Sequence, residues 1–111
     1  MKKILITGSS GFIAPHVIKS ALKRNFEVYG IDRLKNENKI DGCNYIMKDI
    51  NDFNLSEIKG LDYIVHLAFD TNIPYSIKNP KNTTENNLIM TLNLLRQATD
   101  NKVKKFIFSS T

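Results

Sequence analysis

The sequence has one cysteine, Cys43, and no tryptophan. A single cysteine excludes an internal disulfide and any zinc site built on paired cysteines, which leaves a buried, inert thiol as its simplest role. Histidines, cysteine and acids never fall at ligand spacing, so no metal site is expected. No stretch approaches the roughly 18 consecutive apolar residues of a membrane span. The opening Met1-Lys2-Lys3-Ile4-Leu5-Ile6-Thr7 puts lysines before an apolar run, but the run is too short for an export signal and ends at Gly8. The expectation is a cytoplasmic chain with no membrane partner. No basic run is interleaved with aromatics either. The net charge of +5, carried by scattered lysines, therefore gives little support to nucleic-acid binding and suits an anionic small ligand. Repeats and low-complexity tracts are missing, and 111 residues suit one domain.

What is present is an apolar period that switches back and forth. Lys3–Thr7 is a compact aliphatic run ending at glycine, which reads as a buried strand. From Phe12 to Arg24 the pattern is helical, with Ile13, Val17 and Ala21 four apart and Ile18 and Leu22 widening the face. Pro15 is tolerated if it sits in the first turn. Phe26–Ile31 and Asn44–Met47 read as strands, Leu55–Ile58 as a short helical turn, and Leu61–Ala68 as a fourth strand. Asn72–Asn82, with Pro74 and Pro80, reads as loop. A long helix is expected over about Thr83–Asn101, capped by Asn82 with Glu85. Its main face would be Leu88, Leu92, Leu95 and Thr99, widened by Thr91, Leu94 and Ala98. Lys105–Ser109 closes the series as a fifth strand. Strands alternating with helices imply a doubly wound α/β fold of Rossmann type: a parallel sheet in order 3-2-1-4-5, truncated after strand 5. The ligand crevice then lies at the carboxyl ends of strands 1 and 4, where the order reverses.

The motif at that point is Thr7-Gly8-Ser9-Ser10-Gly11-Phe12-Ile13-Ala14, after a strand and opening a helix. Gly8 permits the tight turn, Gly11 lets the backbone approach a pyrophosphate, and Ala14 keeps the helix close to the sheet. The amides and dipole of the helix start, in the Ser10–Ile13 stretch, face the phosphates. Asp32 follows about 20 residues on, at the end of strand 2, where a carboxylate accepts from ribose hydroxyls and repels a 2′-phosphate. The expected cofactor is NAD rather than NADP, although Arg33 beside the acid is a group that can receive that phosphate.

These residues, with Asp49-Ile50, His66-Leu67-Ala68, Asn87 and Phe106-Ile107-Phe108-Ser109-Ser110-Thr111, resemble the extended short-chain dehydrogenases, and among them the NAD-dependent nucleotide-sugar epimerases and dehydratases. The resemblance runs from residue 3 to the end of the chain. It implies that Asp49 bonds the adenine amino group and Ile50 packs on the adenine ring; a loop acid and a core residue are the alternatives. It implies that Leu67 and Ala68 line the cofactor channel, narrowed by Phe69 where the family often has a second alanine. Asn87 would brace the long helix against strand 4, and Met90 stands where glycine is common. His66 reads as a core histidine at a strand end, and His16 as a surface residue. Thr111 aligns with the catalytic Ser/Thr whose hydroxyl bonds the sugar oxygen being oxidised.

The family's base is a tyrosine with a lysine four residues on. Here Tyr29, Tyr45, Tyr63 and Tyr75 are followed at that position by Arg33, Asp49, Leu67 and Asn79, so none fits. The expectation is the NAD-binding portion, residues 1–111, of an enzyme acting on a nucleotide sugar, without its substrate lobe and inactive as it stands. The alternatives are a dinucleotide-sensing module without catalysis, or an inactive fragment. An exposed edge at strand 5 and a bare sheet face imply marginal stability and self-association. A homodimer through the 83–101 helix is one form that self-association could take, and the sequence leaves the oligomeric state open.

Overall fold

A computed structural model describes residues 1–68 and 80–108. Its elements are β1 (Lys3–Thr7), α1 (Ala14–Lys23), β2 (Glu27–Asp32), β3 (Cys43–Met47), two 3-10 turns (Ile50–Asp52 and Leu55–Glu57), β4 (Leu61–His66), α2 (Pro80–Asp100) and β5 (Lys105–Phe108). The five strands form one sheet in order β3-β2-β1-β4-β5, every neighbouring pair parallel, as the alternation of periods predicts.

Because side chains alternate across a strand, β1 feeds two cores. Leu5 points into one with Ile31, Leu55, Ile64, Leu94 and Ala98, under α2. Ile4 and Ile6 point into the other with Ala14, Ile18, Ala21 and Val28, under α1. Leu5 and Ile6 are fully buried, so β1 is the centre of the molecule. The sheet edges differ: β5 leaves Ile107 and Phe108 more than half exposed.

Several boundaries depart from the sequence reading. Helix α1 starts at Ala14 and buries Ala14, Ile18 and Ala21, while Ile13 is its N-cap and is exposed. The apolar stripe is thus one residue out of the predicted phase, because Ile13 belongs to the glycine turn. Pro15 lies in the first helical turn, as expected. Strand β4 ends at His66 rather than Ala68. The turn at Ile50–Asp52 was not foreseen; the Asp49 side chain caps it by accepting from the Asn51 amide. Helix α2 begins at Pro80, so Asn82 lies within it and is not its cap. Proline at a first helical position loses no hydrogen bond, which explains the earlier start. Of the predicted loop, residues 72–79 lie outside the described residues.

The face of α2 is also corrected. Among its described side chains Leu94 and Ala98 are the buried ones, with Met90 packed beside them, whereas Leu88 and Leu92 are about half exposed and Leu95 over a third. Gln97 fixes that orientation: its amide accepts from the Leu55 amide and donates to the Phe53 carbonyl, locking α2 to the 3-10 segment. No helix of the described residues is long and apolar enough to cross a membrane. Cys43 is half-buried, and burial pushes its thiol pKa up.

Candidate functional site

The carboxyl ends of β1, β2 and β4 open into one crevice of about 800 Å³. Its floor is the glycine turn. Gly8 has φ +74°, and a Cβ there would lie 2.9 Å from the Leu67 carbonyl and the Ala68 amide nitrogen, so β4's exit runs directly over it. The turn is pinned by the amides of Gly8 and Ser9, which both donate to the Ile31 carbonyl at 2.8 and 3.2 Å, and by the Gly11 amide, which donates to the Gly8 carbonyl at 2.9 Å. Ser9 is buried over Gly30, where a Cβ would meet the Ser9 Cβ at 2.8 Å. Helix α1 then starts with no side-chain cap and no acid in its first turn, so its positive end faces the crevice uncompensated.

Asp32, at the end of β2, turns its carboxylate toward this floor. Oδ2 accepts from the Ser10 amide at 2.9 Å and from the Ser10 hydroxyl, and Oδ1 accepts from the Leu34 amide at 2.9 Å. Acid and glycine turn are therefore one hydrogen-bonded unit. The sequence places Asp32 near the turn but gives no sign of the Ser10 bridge, which depends on the register of β1 against β2 (Thr7 opposite Ile31).

The side walls come from segments far apart in sequence. Asp49 and Ile50 form one, and Leu67 and Ala68 another; Asn86, Asn87, Ile89 and Met90 of α2 close the third. Asp49 spends one carboxylate oxygen on its turn, and Ile50 is buried in the α2-side core while still reaching the crevice. All ten sequence-singled residues, Gly8, Ser10, Gly11, Phe12, Ile13, Asp32, Asp49, Ile50, Leu67 and Ala68, thus line a single cavity. Thr111 and Phe69 lie outside the described residues. Sequence reasoning missed Lys48, which lines the crevice with Arg33. Its signal was available: it follows directly on a parallel strand's carboxyl end, where ligand groups collect.

His66 is fully buried at the end of β4. It is a core histidine, as expected, but with partners the sequence did not name: Nδ1 lies 2.6 Å from Thr7 Oγ1 and Nε2 3.2 Å from Thr91 Oγ1. Burial holds its pKa down at about 4, so the ring is neutral. His16 is exposed, as expected.

The model of the NAD dependent epimerase/dehydratase family matches residues 4–111. The chain belongs to that family. A dTDP-D-glucose 4,6-dehydratase of Dictyostelium discoideum is 32% identical over 126 residues, which cover all of this chain and 29% of the dehydratase. Among solved structures, the UDP-glucose 4-epimerase of Thermotoga maritima with UDP-glucose superposes with a TM-score of 0.88 at 32% identity, over 98% of this chain and 38% of that one. The UDP-glucose 4-epimerase of Thermus thermophilus in complex with NAD gives 0.85 at 30% identity, over 98% of this chain and 37% of that one. The chain therefore spans well under half the length of the family members it matches.

Proposed function

We propose that the crevice binds NAD and that the chain is the cofactor half of a nucleotide-sugar epimerase or dehydratase. The Ser10–Asp32 bridge carries this reading, because it fixes a ribose-binding carboxylate to a diphosphate-binding turn before any ligand arrives. The donor set fits the cofactor. The glycine turn leaves room for a diphosphate beside the uncapped start of α1. Asp32 Oδ1 keeps a free lone pair for the adenosine ribose. Asp49 and Ile50 would flank the adenine, and Leu67 and Ala68 would lead toward the nicotinamide. The cavity volume falls within the range of roughly 300–1,000 Å³ usual for cofactor sites. When bound, the nicotinamide supplies a hydride acceptor for a sugar carbon. Thr111 would hold the sugar oxygen through its hydroxyl.

Asp32 favours NAD by repelling a 2′-phosphate, against the attraction of Arg33 and Lys48. Calorimetric titration should give tighter binding of NAD than of NADP. Asp32→Ala should weaken NAD about tenfold and narrow the gap to NADP, from the loss of charge-assisted hydrogen bonds. Equal affinities in the unmodified chain would sink the preference, and no heat with either would sink the dinucleotide reading.

We also propose a homodimer through α2, in a cytoplasmic setting. Leu88, Ile89, Leu92 and Leu95 form an exposed apolar face on that helix, and such a patch marks an interface. Leu92→Glu should turn a dimer into a monomer in sedimentation equilibrium, with little change in melting temperature. A chain that sediments as a monomer without the substitution would rule the dimer out.

A further inference from the structure

We propose that His66 is a positioning residue for the crevice, a neutral relay that ties the Leu67–Ala68 wall to the α2 wall through Thr7 and Thr91. The donors and acceptors of the described residues fit together in one arrangement. Thr7 Oγ1 accepts from the amides of Leu67 at 3.0 Å and Ala68 at 3.1 Å, the Leu67 amide being shared with the Thr7 main-chain carbonyl at 3.2 Å. With both lone pairs taken, its proton goes to His66 Nδ1 at 2.6 Å. The ring proton then sits on Nε2 and is donated to Thr91 Oγ1 at 3.2 Å, and Thr91 donates its own proton to the Asn87 carbonyl at 2.9 Å. Both hydroxyl protons of the relay, those of Thr7 and Thr91, have an acceptor. One end holds the two amides that cross over Gly8, and the other reaches α2 at Asn87, beside Met90.

The described hydrogen-bonding and aromatic partners of the ring include Thr7 from β1, Thr91 from α2 and Phe106 from β5, and these three are uncharged. A second proton on the imidazole would face the Thr7 hydroxyl proton. Thr7 would have to turn, accept from the ring, and release the Ala68 amide, while the Leu67 amide keeps the Thr7 carbonyl. The walls of the crevice are thus coupled to the protonation state of the ring, and a ligand that presses against both walls selects the neutral ring.

The inference rests on the dinucleotide reading, and its test separates the two. NAD is titrated calorimetrically into the full chain and into Thr91→Val and Thr91→Ser near pH 7.5, while 15N NMR of the imidazole reports the tautomer of His66. Thr91→Val removes one end of the relay at nearly constant volume and should weaken NAD about fivefold, the size of one lost hydrogen bond. Thr91→Ser keeps the hydroxyl and should bind like the original chain. The imidazole should be the neutral Nε2–H form. An Nδ1–H tautomer, seen without any ligand or variant, overturns the relay whatever NAD does. Binding within twofold in Thr91→Val overturns the positioning role alone. An unmodified chain that shows the Nε2–H tautomer but no NAD heat overturns the dinucleotide reading, and with it the role proposed for the relay in binding.

Discussion

Gly8→Ala is expected to eliminate NAD binding and to destabilise the chain by about 3 kcal/mol or more, from strain and steric overlap together. Two effects add at this position. The backbone is left-handed at φ +74°, and the new methyl would sit 2.9 Å from the Leu67 carbonyl carbon and oxygen and the Ala68 nitrogen. Those are main-chain atoms held by Thr7, so they cannot swing aside as a side chain can. Relief requires parting β4's exit from the turn, which splits the crevice between its floor and one wall. Gly60→Ala is the control. Gly60 has the same φ of +74°, but a Cβ there meets nothing within 4 Å. Its expected cost is about 1 kcal/mol, the left-handed penalty alone, with NAD binding untouched. Urea unfolding of both variants, paired with NAD titration, measures the difference. Equal stabilities for the two would mean that the strand exit does not bear on the turn.

Acid is expected to weaken the fold through His66 before it reaches the carboxyl groups. The folded ring takes a proton only near pH 4, against an ordinary value of 6.5. Between those values the unfolded chain binds more protons than the folded one, so stability rises with pH across that window and is lost as pH falls through it. The loss amounts to about 1.4 kcal/mol by pH 5.5 and roughly 3 kcal/mol at its acid limit, from the difference in proton affinity. Asp62 and Glu27 have lowered pKa values, the first from the Lys3 amide it accepts from and the second from the Tyr29 hydroxyl. Their contribution is present above their ordinary values of 3.8 and 4.5 and is lost only below that range. The slope above pH 5.5 therefore reports His66. Urea melts at pH 7, 6 and 5.5 should show it, and His66→Asn should flatten it. A melt midpoint that does not move from pH 7 to 5.5 would contradict a buried, neutral ring.

The sheet order was legible because each strand is a short apolar run, the first four bounded by a glycine or an acid, and because helical periods separate β1 from β2 and β4 from β5. The crevice was legible because its residues sit at strand ends, where a doubly wound sheet gathers them. The orientation of α2 was not legible. Its sequence is apolar on two sides, Leu88-Leu92-Leu95 and Leu94-Ala98, and periodicity alone cannot say which side meets the sheet. Gln97 decides it by reaching Leu55 and Phe53, contacts that exist only once the 3-10 segment is in place. The phase of α1 was missed for a related reason: Ile13 fits the helical period but serves the turn before it. The His66 relay escaped notice because it joins Thr7, His66 and Thr91 from three separate elements, and each residue alone looks unremarkable.

The placement of β1 between β2 and β4 also bears on how the chain folds during synthesis. Thr7 and His66 meet at a sequence separation of 59. The first strand can zip to β2 early, yet its other flank stays open until β4 has left the ribosome, and long-range parallel pairing of this kind is slow. A half-built sheet would expose the unpaired amides and carbonyls of its most apolar strand, a ready template for joining another chain. The Leu67–Ala68 and α2 walls of the crevice, and any affinity that depends on them, arise only when β4 and then α2 dock. A cofactor therefore cannot guide the early steps of folding; it can only retain the finished fold, by lowering the free energy of the native state.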